Sequence, residues 1–372
     1  MRRFATPILL SLTLAFGASS VRAGDFEEAL KIVKDPNLFS TRAADAERLF
    51  RSAAQANQRA KESWYNLGLL LMRRGDLAGA RSAFQTSVGL DASFRPAKAQ
   101  LLGLDLAEPS RAAGAVADLE QIAKDDPFQA DAQNLLTSWK LERATELART
   151  DKKKAAEMFE AARAHARNVL AGDPDNIHAY LNVAITYFRE GLFDQAGLVA
   201  SSALEKHSDA ASLHNVMGLV YLSQDNSRAA TDAFLAALKD DPQNDDVRLN
   251  LGALELAYGN FDSALKRFDE VLKQRPDDAE LIMSRGVALR GLGRFDEAEQ
   301  AYLAAQAKRP GLADTDYNLC VLHQQYTQKY EAAKTRCEAY LARIDKTNPK
   351  YAEVAKRVKS VDATLKTLKK VP

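Results

Sequence analysis

Residues 245–278 read DDVRLNLGALELAYGNFDSALKRFDEVLKQRPDD, and residues 279–312 read AELIMSRGVALRGLGRFDEAEQAYLAAQAKRPGL. In both segments a glycine, an alanine, an aromatic residue and a proline occupy the same places, 34 residues apart. Self-similarity at a fixed period of this size is typical of proteins built from stacked helical repeats. The fold therefore depends on how far along the chain this repeat extends.

The same marks continue on both sides of the two segments. A small residue recurs at intervals of 34, an alanine follows twelve residues after each of the first four, and prolines keep the same period. These marks are the small residues Ala184, Gly218, Gly252, Gly286 and Cys320, the alanines Ala196, Ala230, Ala264 and Ala298, and the prolines Pro174, Pro242, Pro276 and Pro310. Between them, apolar residues recur every three or four positions, which predicts two amphipathic helices joined by a tight turn in each unit.

Each recurring residue type has a physical reason. A small side chain in the first helix and an alanine in the second let the two backbones approach closely. The glycines near each turn, Gly191, Gly259 and Gly293, are expected to end the first helices. Aromatic residues four positions after the alanine are expected to fill the space between one helix pair and the next. They are Phe84, Phe234, Phe268 and Tyr302.

These units resemble tetratricopeptide repeats, and the match is clearest at Trp64, Leu67, Gly68, Leu71, Ala80 and Phe84. The resemblance implies an all-α fold, a right-handed superhelical solenoid of about nine helix pairs with a C-terminal capping helix. It implies a degenerate repeat over 24–60, regular units over 61–129, an expanded unit over 130–176 and five units over 177–348. The capping helix is expected over 349–372.

Residues 1–23 have the features of a secretory signal peptide. A positive start at 1–3 precedes an apolar stretch of 15 residues, and a small-x-small exit follows at Val21–Ala23. This pattern predicts export and a location in the bacterial periplasm. The alternative is an uncleaved anchor, which is less favoured because a membrane-spanning helix needs about 20 apolar residues.

Composition excludes several classes of function. The chain has 51 Lys and Arg against 50 Asp and Glu, for a net charge of +1, so no basic excess supports nucleic-acid binding. Its 46% hydrophobic content supports a large buried core. Two cysteines are too few for a disulfide-rich scaffold or a multi-cysteine zinc site.

The sequence contains no recognisable catalytic motif of the zinc-protease, P-loop or nucleophile-elbow type. Its five histidines, His165, His178, His207, His214 and His323, fall in different repeats. His178 and His214 stand in adjacent units but lack an identified third ligand, so no metal site is expected. The sequence therefore predicts a non-enzymatic protein without cofactors.

Two segments depart from the repeat and leave alternatives open. Pro127 and Pro174 lie 47 residues apart, which predicts a longer, protruding hairpin with Lys152–Lys154 at its tip. That tip either meets an acidic partner or, as we favour, is a solvated turn. The lysine-rich C-terminal helix either touches anionic lipid or, again favoured, only keeps the end of the stack soluble.

Both cysteines belong to the last repeat. Cys320 takes the close-contact place of the first helix and Cys337 a core place of the second, so both face one seam. In an oxidising compartment they are expected to form a disulfide. The alternative is a pair of buried free thiols.

In tetratricopeptide repeats the first helices line a groove that holds a peptide or a helix of a partner protein. Carrying that property over assigns partner binding to twenty residues. They are Tyr65, Asn66, Leu69, Met72, His178, Leu181, Asn182, Ile185, Phe188, Arg189, Asn215, Leu219, Leu222, Leu249, Asn250, Leu256, Met283, Arg290, Asn318 and Leu322. The recurring asparagines are expected to hold a peptide backbone, and the partner is expected to be a mixed apolar segment that docks mainly by burial.

The sequence thus predicts a periplasmic scaffold that helps to assemble an envelope machine. The chain is similar to exported tetratricopeptide proteins that help to assemble machines for gliding motility, pili, secretion and polysaccharide export. Among these it most resembles the periplasmic components of gliding motility. The alternative is a regulator of peptidoglycan synthases or hydrolases that binds both enzyme and cell wall. Stable membrane insertion and nucleic-acid binding are not expected, and the oligomeric state is left open.

Overall fold

A computed structural model describes residues 24–57 and 59–369, which form nineteen α-helices and no strand. The predicted signal peptide over 1–23 lies outside the described residues. The helices are α1 (Asp25–Lys34), α2 (Pro36–Gln55), α3 (Ala60–Arg73), α4 (Leu77–Leu90), α5 (Arg95–Leu106), α6 (Ala112–Asp125), α7 (Ala130–Leu147), α8 (Lys152–Gly172), α9 (Ile177–Glu190), α10 (Phe193–Lys206), α11 (Ala211–Ser223), α12 (Ser227–Asp240), α13 (Asp245–Ala257), α14 (Phe261–Leu272), α15 (Ala279–Gly291), α16 (Phe295–Lys308), α17 (Ala313–Gln325), α18 (Tyr330–Arg343) and α19 (Tyr351–Leu368). None of these helices is long and apolar enough to cross a bilayer.

The helices pack as nine consecutive pairs, from α1 and α2 to α17 and α18, and α19 packs on α18. This confirms the predicted all-α fold of nine hairpins and a last single helix. The chain divides into two compact units, Met1–Gln243 and Asn244–Pro372. Within each unit a hairpin buries its apolar stripe against the next, as expected for repeats that cannot form a core alone.

In four pairs the small residue of the first helix is a glycine that lies against the aromatic residue of its own pair, namely Gly68, Gly218, Gly252 and Gly286. A Cβ atom at Gly252 would lie 2.9 Å from Cε1 of Phe268, and one at Gly286 would lie 2.7 Å from Cε1 of Tyr302. These rings therefore fill space within their own pair, and Tyr302 also shares a buried cluster with Leu319 and Leu322 of the next pair, as expected. Glycine is required because the ring occupies the volume that a methyl group would need.

The turns between paired helices use the left-handed backbone region, as the sequence predicts. Gly191, Gly259 and Gly293 have φ of 89°, 78° and 76°. At the corresponding turn between α11 and α12, Asp225 takes this conformation with φ of 57°. Glycine adopts it without steric cost, and four of the nine pairs carry glycine there, the fourth being Gly75.

The expanded unit forms longer helices than its neighbours. Helix α7 has 18 residues and α8 has 21, whereas α9 to α12 have 13 or 14. An apolar cluster that includes Leu141, Ala144, Ala155 and Phe159 holds the extended part together. Ile185 of α9 packs against this cluster, so the longer hairpin supports the next one.

The last pair is joined covalently. Cys320 and Cys337 form a disulfide with their Cα atoms 5.0 Å apart, and both residues are fully buried. Asp316 of α17 adds a second link, since its carboxylate lies 3.0 Å from Arg336 and 3.1 Å from Arg343 of α18. The predicted disulfide is thus present in the structure.

Candidate partner-binding face

Within each unit the first helices of successive pairs also touch one another. In the first unit α7 packs against both α5 and α9, and α9 packs against α11. In the second unit α15 packs against α17. We call the surface formed by these helices the first-helix face, and all twenty predicted binding residues belong to helices of this kind.

Nine of the twenty predicted residues lie inside the packing and not on that face. Each is less than one-tenth exposed, because its side chain points into the contact with a neighbouring helix. They are Tyr65, Asn66, Leu69, Leu181, Asn182, Asn250, Met283, Asn318 and Leu322. In this structure they pack inside the stack, and their contact with a partner stays a prediction.

Three of the recurring asparagines each donate a hydrogen bond from the side-chain amide to another group of the chain. Asn66 donates to the carbonyl of Glu62 at 2.8 Å, and Asn318 donates to that of Asp314 at 2.8 Å. The amide of Asn182 donates to Oδ1 of Asn134 at 2.9 Å and so joins α9 to α7. These hydrogen bonds lie between and within helices, and the expected hold on a peptide backbone stays a prediction.

A buried carboxylate that the sequence analysis missed connects three first helices. Asp131 of α7 is 2% exposed and accepts hydrogen bonds from the hydroxyl of Tyr65 at 2.8 Å and the amide of Gln100 at 2.7 Å. Gln129 donates to its other oxygen at 3.0 Å. Because an unsatisfied buried carboxylate is costly, this network fixes how α3, α5 and α7 are placed.

A second polar contact crosses the expanded hairpin. Nδ1 of His165 on α8 lies 2.6 Å from Oε1 of Gln133 on α7, and Gln133 donates to the carbonyl of Pro127 at 2.8 Å. With Oε1 as acceptor, the neutral ring donates from Nδ1. Burial, with a smaller effect of Lys140, lowers the pKa of His165 from 6.5 to about 4.

This contact predicts a pH dependence of stability. Because the folded pKa lies below the unfolded one, the folded chain binds fewer protons, and the contribution of His165 is full above about pH 6.5 and lost towards pH 4. We expect His165→Asn, which keeps a donor near Nδ1 but does not titrate, to flatten the loss of stability across that window. The measurement is urea unfolding of both proteins between pH 4 and pH 7; equal slopes would contradict the assignment.

The other eleven predicted residues are half-buried and reach the surface. They are Met72, His178, Ile185, Phe188, Arg189, Asn215, Leu219, Leu222, Leu249, Leu256 and Arg290. Seven of them stand on α9 and α11 of the first unit, which makes this pair of helices the densest part of the predicted site. The second unit contributes Leu249, Leu256 and Arg290.

Apolar side chains of the α9 surface pack on the buried core beneath them. Ile185 and Phe188 pack on the core that includes Leu181, Ala184 and Val216. The rings of Phe188 and Phe193 lie 5.3 Å apart. The surface is therefore preformed, which lowers the cost of ordering side chains when a partner binds.

The polar groups beside this surface are partly desolvated. Burial lowers the pKa of Arg189, which stays charged at neutral pH. Burial also lowers the pKa of His178, which favours the neutral ring. His214 bonds to the carbonyl of Ser208 at 3.0 Å through Nε2. Among the described residues no group of three His, Cys, Asp or Glu side chains is placed to hold a metal ion.

In the second unit Arg290 of α15 contacts residues of the next helix pair. Its guanidinium donates to Oδ1 of Asn318 at 3.4 Å and lies 5.8 Å from the centroid of the Tyr326 ring. The ring of Tyr326 in turn lies 5.3 Å from that of Phe295. Arg290 therefore links the end of α15 to α17 and to Tyr326, which follows α17.

Comparison with known proteins agrees with the repeat architecture. Two tetratricopeptide repeat models match, one over residues 38–93, 215–260 and 254–313 and the other over 154–219. Cellulose synthase 1 operon protein C of Komagataeibacter xylinus is 27% identical over 224 residues, which is 58% of this chain and 16% of that protein. The chain therefore spans a small part of this relative.

Solved structures with similar repeats include YrrB, a tetratricopeptide protein with an unusual peptide-binding site. It is 24% identical, covers 52% of this chain and 97% of its own length, and gives a TM-score of 0.44. The Cut9–Hcn1 hetero-tetramer covers 91% of this chain and 83% of its own, at 13% identity and a TM-score of 0.48. Since the two repeat models together match more than half of its residues, the chain belongs to the tetratricopeptide repeat family.

Proposed function

We propose that the protein is a periplasmic scaffold whose α9 and α11 surface binds an apolar segment of a partner protein during assembly of an envelope machine. The observation that carries this proposal is a set of half-buried apolar residues on these two helices, Ile185, Phe188, Leu219 and Leu222. Ile185 and Phe188 among them pack on the buried core beneath. Tetratricopeptide repeats serve as protein–protein interaction scaffolds and are generally non-enzymatic. An apolar surface of this kind is a common docking site for a protein segment.

Among envelope machines, polysaccharide export is favoured over gliding motility, pili and secretion. The supporting fact is the likeness to a protein whose name places it in a cellulose synthase operon. The likeness covers a small part of that protein, so the shared feature is the repeat region and the machine is our inference. The signal-like sequence at 1–23 supports the periplasmic location.

The proposal is tested by replacing Phe188 and Leu222 with alanine. A benzophenone amino acid at position 219 in living cells first identifies the partner that lies on α11, and calorimetry with the purified partner then measures affinity. We expect the double substitution to weaken binding by about 2 kcal/mol or more, because apolar anchors at the centre of an interface dominate its energy.

The matched control replaces Leu198 and Leu235, which are 68% and 46% exposed on the second helices α10 and α12. Affinity of this control should equal that of the unchanged chain. A partner that binds the Phe188 and Leu222 variant equally well would refute the site. Recovery of the chain in a periplasmic extract, with Gly24 as its first residue, tests the location.

The alternative is a regulator that binds peptidoglycan together with a synthase or hydrolase. A protein that only joins other proteins should stay in the supernatant when purified peptidoglycan is sedimented. Sedimentation of the chain with peptidoglycan would favour the alternative.

A further inference from the structure

Helix α19 presents a line of lysines on the side opposite to its buried side. Val354 and Val361 are buried against the preceding helix pair. At about 100° per residue, Lys356, Lys359 and Lys366 lie on the other side of the helix. All three are exposed, and the exposed residues Ala352 and Ala363 lie on the same side of the helix, Ala352 before the lysines and Ala363 between Lys359 and Lys366. We call these five residues the outer face of α19.

The acidic residues of α19 lie on its flanks and are already paired. Glu353 binds Nε of Arg357 at 2.9 Å, and Asp362 binds Nζ of Lys334 at 2.7 Å. The outer face itself contains no carboxylate. Its three ammonium groups make no ion pair within the described residues, so their positive charges are not neutralised by the chain.

Glu353 and Asp362 lie one turn from these lysines, but they pair with Arg357 and Lys334 instead. Lys356 and Lys359 stand three residues apart on the helix. A soluble surface usually carries positive and negative side chains next to each other. Like charges three or four residues apart on a helix destabilise it. In a chain with 51 basic and 50 acidic residues, a face of one sign is a local feature and not a result of overall charge.

The size and shape of the outer face indicate which kind of partner it binds. It runs along about four turns, or about 20 Å, and is only one residue wide, with alanines on the same side as the lysines. A specific protein interface needs about 800 Å² on each partner and usually a pocket for an anchor side chain. A flat anionic surface needs neither, because each lysine contributes separately by electrostatic attraction.

We propose that the outer face of α19 binds the phosphate headgroups of anionic phospholipids and holds the second unit at a membrane surface. The flexible lysine stems reach outward while the alanines keep the helix close to the headgroups. Val354 and Val361 stay packed in the protein, so α19 lies along the surface without entering it. The proposal goes beyond partner binding by α9 and α11 and does not rest on it.

The test is flotation of the full chain with vesicles of phosphatidylcholine, with and without phosphatidylglycerol. We expect binding only to vesicles that contain phosphatidylglycerol, and loss of that binding when salt is raised from about 50 to about 500 mM. Replacing Lys356, Lys359 and Lys366 with glutamine should reduce the bound fraction by about tenfold or more. Circular dichroism of this variant should match that of the unchanged chain, because the three side chains are exposed.

The matched control replaces Lys98, Lys124 and Lys239, three exposed lysines of the first unit, and removes the same charge. It should bind vesicles as the unchanged chain does. Equal loss in both triple variants would show a net-charge effect and overturn the proposal. So would absence of binding by the unchanged chain, or loss of binding only when Lys152–Lys154 at the hairpin tip are replaced. Retention of the chain by an acidic peptide without vesicle binding would identify a protein partner instead.

Discussion

Replacing Phe234 with alanine is expected to destabilise the first unit by about 3–5 kcal/mol. The ring is fully buried and lies over Gly218, where a Cβ atom would come within 2.6 Å of its Cδ1. Removing it leaves a cavity between α11 and α12 that the two rigid helices cannot close. Urea unfolding followed by circular dichroism measures the loss, with the two units fitted separately because they need not unfold together.

A double-mutant cycle makes this prediction specific to the contact. Gly218→Ala should cost about 1–3 kcal/mol when Phe234 is present, because the added methyl group overlaps the ring. In the Phe234→Ala background the same change should become neutral or stabilising, since alanine is the better helix former. Phe128→Ala is the control, because Phe128 is 58% exposed and its loss should have a much smaller effect. Additive costs of Gly218→Ala and Phe234→Ala would contradict the proposed close approach.

Replacing both Cys320 and Cys337 with alanine is expected to lower the stability of the second unit by about 3 kcal/mol. The disulfide closes a segment with a sequence separation of 17, and its loss returns that freedom to the unfolded chain. The last hairpin should still form, because Asp316 continues to bind Arg336 and Arg343 across the same pair of helices. The first unit serves as an internal control and should unfold at the same urea concentration in both proteins.

The same comparison under reducing conditions checks the cause. Both sulfurs are buried in the folded unit, so dithiothreitol should reduce the disulfide only once the unit has unfolded. After such reduction, the unchanged chain should have the same free energy of unfolding as the double variant. If the unchanged chain and the variant melt together without reductant, the disulfide does not stabilise this hairpin.

The repeat could be predicted from the sequence because its cause is local and periodic. Gly252 and Phe268 lie 16 residues apart within one hairpin, and the same contact at the same spacing leaves a mark at Gly68, Gly218 and Gly286. The disulfide was predictable for the same reason, because Cys320 and Cys337 occupy two such recurring places. The direction in which the aromatic rings point was not predictable, since either side of α12 would give the same spacing.

The candidate site was predicted only in part. The family resemblance assigns partner binding to the first helices, which stays a prediction. It does not decide whether a residue near the border between the packed side and the open side of such a helix is buried or exposed. Leu181 is buried and Leu222 reaches the surface, although both were assigned to the groove. The network around Asp131 left no sequence signal, because its donors Gln100 and Tyr65 stand 31 and 66 residues away.

Asp131 also restricts how the first unit can evolve. Solenoids of this kind ordinarily lengthen and shorten by duplication or deletion of whole repeats, since each repeat contacts only its neighbours. Here one carboxylate draws hydrogen bonds from the second, third and fourth hairpins at once. Loss of the second or third hairpin would remove one of these hydrogen bonds from a buried carboxylate, so we expect these three hairpins to change in number less readily than other parts of the array.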